Sequence, residues 1–495
     1  MRDIKTPIKN FLLHLMRRWR THLAVPVMPL NKELTLMYEA YNVQRFYGPQ
    51  KYFCYARFGS MFIRYDGRVS PCYACKAEGS LTTQTLSEIW NGQAFTSLRE
   101  AFRAGDIPAA CSFCRDHLQS KAYGSILANK YDHYLMSAKG FPVIAELELS
   151  NTCNLECIMC SGTLSSSIRH NREKLPPVAH CLPGDFISQF LPFLRNLNVL
   201  ELTGGDPFLI DIYYDILGQV QNANPNLGIL ITTNANTFNE KVASLLEKNL
   251  KLSFNVSIDS LEEETYSKIR CNGSLSKALK NIERFSAYTQ KHKTSLGFLI
   301  CPLRENSKEL PSFVPFAGKY QATLSYHVVF KPSQHALWSL DSGQLKELES
   351  YLSSFRFEGS GFVHNINVRS YNNLVGLVQS WYIKALQREE KKKETDLQIT
   401  AEIEKSKKKL HQMIDNPAFF DTLDRLVMEL EVKEFQGMVY MALVQKKPEE
   451  LVAGFERFTK EELKHKLTLY HQDVYSAYFY QLGLSANDKY SENIV

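Results

Sequence analysis

Ile144-Ala-Glu-Leu-Glu-Leu-Ser-Asn-Thr-Cys-Asn-Leu-Glu-Cys-Ile-Met-Cys160 is the stretch on which the reading of this chain turns. Its first half alternates. Glu146, Glu148 and Ser150 share one face of an extended segment, and Ala145, Leu147 and Leu149 share the other. Cysteines at 153, 157 and 160 follow at once, so three thiols lie on a tight loop beyond the strand. Loops in that position form the reactive face of parallel α/β folds. Three thiolates on one loop can hold three irons of a cubane and leave the remaining iron open as a Lewis acid, whereas ordinary electron-transfer clusters take four cysteines. A structural zinc site would prefer paired C-x-x-C units and four ligands.

Strand-like and helix-like stretches alternate from this point. The strands expected are Ile144–Leu149, Val199–Thr203, Gly228–Thr233, Leu252–Ile258, Leu296–Cys301 and Thr323–Phe330. Helices are expected near Phe186–Asn196, Ile210–Gln221, Asn239–Lys248, Ser276–Gln290 and Lys308–Lys319. This spacing means parallel βαβ units. Six units over residues 141–335 suit a partial (β/α)6 TIM-type barrel; a doubly wound open sheet is the alternative. Glu201 and Thr203 oppose Leu200 and Leu202, and Asn255, Ser257 and Asp259 oppose Phe254, Val256 and Ile258. A polar inner face suits a ligand-holding barrel, since a closed structural barrel is filled with branched apolar side chains. Glu146, Glu148, Cys301 and His327 are the lumen candidates for catalysis. An inward His is more often a satisfied core residue, and Cys301 as a hydrogen-atom donor is the sharper of its two readings.

The C-x3-C-x2-C loop resembles that of the radical S-adenosylmethionine (SAM) superfamily, and further motifs extend the likeness over about 141–335. Thr203-Gly-Gly-Asp-Pro207 is similar to the family's GGE(P) turn, with Asp in place of Glu, and Thr232-Thr-Asn-Ala235 is similar to its TNG turn. Asn255-Val-Ser-Ile-Asp259, Tyr266-Ser-Lys-Ile-Arg270 and Asn272-Gly273 also look family-like. The resemblance implies a 4Fe–4S cluster on Cys153, Cys157 and Cys160, with SAM chelating the open iron. Reductive cleavage of SAM would then give a 5′-deoxyadenosyl radical that abstracts hydrogen from a substrate. It implies cofactor contacts from Gly204, Gly205, Asp206, Pro207, Asn234, Ser257, Asp259 and Arg270, with Ser257 near the ribose and Arg270 near the cofactor carboxylate. Two glycines let backbone carbonyls approach the cofactor ammonium. Before the third cysteine the family often has an aromatic that packs on adenine. Here it is Met159, whose polarizable thioether can serve.

A second cysteine set precedes the first. Cys54, Gly67-Arg-Val-Ser-Pro-Cys72, Cys75, Ser87-Glu-Ile-Trp90 and Cys111-Ser-Phe-Cys114 resemble the SPASM/Twitch auxiliary-cluster module of the same superfamily over about 50–118. Asp66-Gly67 marks a hairpin between Met61–Tyr65 and Arg68–Ser70, and a helical stretch is expected near Leu86–Ala104. Five thiols suffice for one 4Fe–4S cluster. The resemblance implies Cys54, Cys72, Cys111 and Cys114 as ligands, with Cys75 spare or substitute. A zinc ribbon on Cys72/Cys75 and Cys111/Cys114 is the competing reading. The module ordinarily follows the barrel, and here it comes first, which leaves its distance from the pocket open.

Four regions result: a basic amphipathic helix and lead-in over 1–45, the cysteine module over 46–125, the barrel over 141–335 and a helical, Lys/Glu-rich region over 340–495. Thr6 and Pro7 suit a helix start, and Ile8, Phe11, Leu12, Leu15, Met16 and Trp19 share one face. That helix docks on its own protein or, in the sharper reading, on a membrane surface or partner. The net charge is +6. Residues 1–22 hold six Lys/Arg against Asp3, which leaves the body close to neutral, without the basic face that nucleic-acid binding needs. No apolar run approaches the roughly 20 residues of a membrane span, and the N-terminus lacks a signal-peptide cleavage site. A cytoplasmic enzyme, peripheral to a membrane at most, is the expectation. SPASM-bearing relatives often act on peptides, so a peptide or protein is the leading substrate, with a carbohydrate or other small molecule next. The chemistry would call for a low-potential donor such as ferredoxin or flavodoxin. A non-catalytic iron–sulfur or zinc scaffold is the reading from another class. Methyl transfer or RNA modification is weaker.

Overall fold

The structure is a computed structural model. It describes residues 32–45, 47–76, 79–119, 123, 126–132, 134, 140–428, 440, 443, 444, 448 and 452. The expected amphipathic helix over 1–22 lies outside the described residues.

Among the described residues nine strands form one sheet. In chain order they are β1 Ser60–Arg64, β2 Arg68–Ser70, β3 Gly79–Ser80, β4 Ile144–Glu148, β5 Val199–Leu202, β6 Gly228–Thr233, β7 Lys251–Ser257, β8 Leu296–Ile300 and β9 Thr323–Tyr326. Across the sheet the order is β3-β2-β1-β4-β5-β6-β7-β8-β9. From β4 to β9 each strand is parallel to the next and follows it in sequence. A doubly wound sheet would reverse its order at a switch point. With no reversal, right-handed crossovers put the helices that connect β4 to β9 on one side. The sheet is therefore a partial barrel with a lumen on its inner face.

The burial pattern shows which face is which. Ala145, Leu147, Leu200, Leu202, Phe254, Val256 and Ile258 enter the main core with Phe190, Ile216, Phe285 and Phe313 from the helices. On β7 these apolar residues alternate with half-buried Ser253, Asn255 and Ser257. The packed helices start where short polar side chains take up free backbone N–H groups: Asn239 caps Glu240–Glu247, and Ser274 caps Leu275–His292.

The cysteine module is built onto this sheet. Strand β1 runs parallel to β4, in register from Ser60↔Ile144 to Arg64↔Glu148. Its partner β2 returns antiparallel through the Asp66-Gly67 turn, where Gly67 has φ +81°. The expected helix near Leu86–Ala104 is two helices, Leu86–Asn91 and Gln93–Arg103, divided at Gly92.

Beyond the barrel, a helix over Phe362–Met413 covers the outer edge of β9. Asn367 accepts from Leu324 N at 2.8 Å and donates to Ala322 O at 2.9 Å, so the strand's unpaired backbone is satisfied by a side chain. Strand β9 stops at Tyr326, short of the expected Phe330. His327 N still donates to Ile300 O, the last residue of β8, and beyond it β8 offers nothing to pair with.

Candidate functional site

The loop carrying Cys153, Cys157 and Cys160 leaves β4 and is strapped from two sides. Ser165, Ser166 and Ser167 open the helix Ser166–Asn171. Ser165 donates to Leu155 O at 2.7 Å and Ser167 to Cys153 O at 2.8 Å, while Ser166 Oγ accepts from Cys153 N. On the other side Glu156 N and Ile158 N donate to the carbonyls of Cys271 and Ile269, both at 2.9 Å. Arg172 donates to the carbonyls of Glu156, Cys157 and Cys160. The loop is thus held by its backbone, which leaves the thiols available.

Burial pushes the Cys157 thiol up to about 12, and the neighbouring Cys153 and Asp259 push the same way while Arg270 opposes. Burial raises Cys153 and Cys160 too. Thiols in this setting become thiolates only against added positive charge, which iron supplies.

The glycine turn packs against this loop. Gly204 has φ +80°, and a Cβ there would lie 2.6 Å from Ser150 O; a Cβ on Gly205 would lie 2.0 Å from Thr152 O. Asp206 is buried and acts as a local clasp: Oδ2 accepts from Thr233 Oγ1 and Asn234 N, both at 2.8 Å, and Oδ1 accepts from Phe208 N at 3.1 Å. The carboxylate joins the turns after β5 and β6, and Pro207 starts the short helix that follows. Ala235 stands where the TNG-like turn has glycine, and it keeps the left-handed φ of +57°. Asn234 Nδ2 lies 3.0 Å from Asn154 Oδ1 and 3.9 Å from Cys153 Sγ.

Arg270 is already paired. Its Nη2 lies 2.7 Å from Asp259 Oδ2, and its Nη1 is 3.9 Å from Cys157 Sγ. Asp259 in turn accepts from Cys301 N at 2.6 Å. The pair therefore fixes the β7 and β8 ends beside the cysteine loop. Met159 packs with Ile158 and Cys301 on a small cluster of Ile269, Leu303 and Val329, an apolar wall beside the thiols. Ser257 is half-buried at the end of β7, and His327 follows directly on β9.

Deeper in the lumen the candidate carboxylates are engaged. Parallel register sets Glu146 beside Glu201. Lys130, from the short helix Leu127–Tyr131, bridges them at 2.7 and 2.8 Å, and the buried Tyr131 hydroxyl donates to Glu146 at 2.7 Å. Glu148 sits 4.0 Å from Arg64 Nε. Glu146 is thus part of the lumen floor.

The five cysteines of the amino-terminal module, Cys54, Cys72, Cys75, Cys111 and Cys114, are all buried in one core with Phe53, Phe58 and Phe102. Arg57 lies among them, 2% exposed; Nη1 donates to Cys54 Sγ at 2.6 Å and Nη2 to Cys111 Sγ at 2.5 Å. Contact between the Cys75 and Cys111 thiols lowers Cys111 and raises Cys75. Among the described residues no three His, Cys, Asp or Glu side chains converge as ligands of a single metal ion. A cubane instead spreads its sulfurs over separate irons.

Residues 54–116 match the iron–sulfur cluster-binding domain SPASM, and residues 147–316 match the radical SAM superfamily. The chain is a radical SAM enzyme with an SPASM module. A GTP 3',8-cyclase of Limosilactobacillus fermentum is 26% identical over 246 residues, 47% of this chain and 70% of that protein. Another, of Clostridium perfringens, is 29% identical over 140 residues, 28% of this chain and 41% of that protein, so the chain spans less than half the length of this relative. Among solved structures, SuiB of Streptococcus suis bound to S-adenosylmethionine is 16% identical, covering 53% of this chain and 59% of that one, with a TM-score of 0.33.

A radical SAM core takes a 4Fe–4S cluster and SAM, and an SPASM module takes auxiliary iron–sulfur. The residues fit both. Three thiols flank a turn whose close approach only glycine permits, and a buried guanidinium among thiols calls for anionic sulfur. Arg57, Lys130 and Arg172 escaped the sequence reading. Arg57, an arginine three residues after a ligand-type cysteine, carried a faint signal; Lys130 and Arg172 look like ordinary surface cations. No helix among the described residues is long and apolar enough to cross a membrane.

Proposed function

We propose that Cys153, Cys157 and Cys160 hold the SAM-binding cluster, that Cys54, Cys72, Cys111 and Cys114 hold the auxiliary one, and that the substrate is a peptide or protein side chain. When bound, the cluster and SAM supply a 5′-deoxyadenosyl radical able to take a hydrogen atom from a substrate. The chain's own residues arrange that chemistry. Gly204 and Gly205 leave backbone carbonyls accessible to an ammonium group. Asn234 and Ser257 offer polar contacts on the lumen side. Met159 offers an apolar surface for a flat ring. The Asp259–Arg270 pair keeps a guanidinium beside Cys157.

The observation that carries the radical SAM reading is the contact of the Gly204-Gly205 turn with the backbone that leads into Cys153. The observation that favours a peptide is the lumen itself. Its floor sets three carboxylates, Glu146, Glu148 and Glu201, against two cations, Lys130 and Arg64, which leaves an excess of one negative charge. Such a floor repels a polyanion and tolerates neutral or cationic side chains.

The GTP 3',8-cyclase relatives favour a second reading, a nucleotide substrate. One experiment separates the two. Reconstituted enzyme is incubated anaerobically with SAM and dithionite, alone, with GTP, or with a pooled peptide library. Release of 5′-deoxyadenosine that rises with peptide and not with GTP supports the peptide reading; stimulation by GTP alone replaces it. No release from fully loaded protein sinks the radical SAM assignment of the thiols.

A further inference from the structure

Arg57 is among the largest fully buried side chains of the described residues, and it is a cation. A buried guanidinium without a counter-charge costs several kcal/mol. Its hydrogen-bond partners are two sulfurs, its Nε has none, and its other neighbour is the ring of Phe102, 4.6 Å from the guanidinium carbon. Arg99 Nε donates to the Arg57 carbonyl at 3.0 Å, fixing the backbone. The side chain is therefore placed with its fork open to Cys54 and Cys111, on the short helix Ala56–Gly59 that leads into β1.

We propose that Arg57 is the charge-compensating and positioning residue of the auxiliary centre, holding two of its ligating sulfurs by N–H···S bonds and raising its reduction potential. This rests on the ligand set proposed above. On reduction the centre gains one electron from dithionite and becomes one charge more negative. A fixed cation in a site of low dielectric favours that more negative state, and N–H···S bonds draw charge off sulfur in the same sense. Arg57 thereby ties the potential of the auxiliary centre to the sheet, because its helix continues directly into the strand that pairs with β4.

The test uses the full chain carrying Cys153→Ala, Cys157→Ala and Cys160→Ala, so that only auxiliary iron remains. Iron content and the midpoint potential, followed by the electron paramagnetic resonance of the reduced state, are read for Arg57, Arg57→Lys and Arg57→Met. In Arg57→Met we expect either loss of the cluster or a fall of at least tenfold in the reduced-to-oxidised ratio at fixed applied potential, about 59 mV for one electron. Arg57→Lys keeps the charge, holds its iron and shifts less. Equal iron and equal potential in all three proteins overturns the proposal. So does equal behaviour of the Lys and Met variants, which would assign Arg57 a purely steric role. Cys54→Ala in the same background tests the ligand set on its own: unchanged iron there removes Cys54 as a ligand without touching the potential measured for Arg57→Met.

Discussion

Arg172 Nη2 donates to Cys160 O at 3.1 Å and to Cys157 O at 3.3 Å, so one side chain joins the carbonyls of two of the proposed cluster cysteines from outside the loop. Hydrogen bonds from a charged donor contribute about 1.5–3 kcal/mol when buried and less when partly exposed, as here. Arg172→Gln should loosen the loop by about 1–2 kcal/mol. Reconstituted protein should then lose its SAM-cluster iron to a chelator roughly tenfold faster, with the auxiliary iron unaffected. Iron release at the wild-type rate would show that the serines of the Ser166–Asn171 helix hold the loop unaided.

Gly205 faces a stricter constraint. Its φ is +36°, and an added Cβ would lie 2.0 Å from the Thr152 carbonyl oxygen, a backbone atom that cannot move without dragging Cys153. Gly205→Ala should destabilise the protein by about 2–4 kcal/mol, combining backbone strain with overpacking. Release of 5′-deoxyadenosine should fall at least a hundredfold even where iron content is kept. Activity within a few-fold of wild type would mean that the turn yields and that its closeness to Thr152 is not what catalysis uses.

These two residues differ in how much of them the sequence shows. A glycine pair after a strand carries its own reason, because close approach and positive φ leave few alternatives to glycine. The alternation of Glu146 with Leu147, or of Ser257 with Val256, likewise tells inside from outside, since the period of a strand is two. Arg172, Lys130 and Arg57 act through space, across 12, 71 and 54 positions of chain in their bonds to Cys160, Glu201 and Cys111. No local pattern encodes such distances. The attachment of β1 to β4 was hidden for the same reason: a hairpin can be read from Asp66-Gly67, but the free edge it docks on is set by the whole sheet. The strand expected over Thr323–Phe330 ends at Tyr326, because Val328, Val329 and Phe330 continue only the apolar strand character after β8 has ended.

Lys130 closes the lumen floor. It neutralises Glu146 and Glu201, which parallel pairing forces side by side and which Tyr131 backs with a further hydrogen bond. The two carboxylates hold the lysine well above its ordinary range. A cation raised in this way contributes its stability fully below the unfolded lysine pKa and loses it only as pH rises through the folded one. Wild-type stability should therefore be insensitive to this group from neutral pH up to about 10. Lys130→Met strands two buried carboxylates and should cost about 3–5 kcal/mol near neutrality, read as a lowered denaturant midpoint. It should regain part of that loss under mild acid, where the stranded carboxylates take up protons. A loss below about 1 kcal/mol, or one that does not shrink on acidification, would show that water already screens the floor.

Cys75 decides between the two ways of counting the auxiliary ligands. It lies three residues after Cys72, the spacing a zinc ribbon would use, whereas the fork of the buried Arg57 reaches Cys54 and Cys111 instead. A buried cation placed on Cys54 and Cys111 favours those two as anionic, ligating sulfurs. Cys75→Ala should keep its full complement of auxiliary iron, and Cys54→Ala, Cys72→Ala, Cys111→Ala and Cys114→Ala should each lose most of it. Removing a neighbouring thiol should leave a smaller mark, a shift in the spectrum of the reduced centre. If Cys75→Ala loses the iron while Cys54→Ala retains it, the ligands are the two C-x-x-C pairs. The site would then take zinc as readily as iron, and Arg57 would lose the cluster charge that explains its burial.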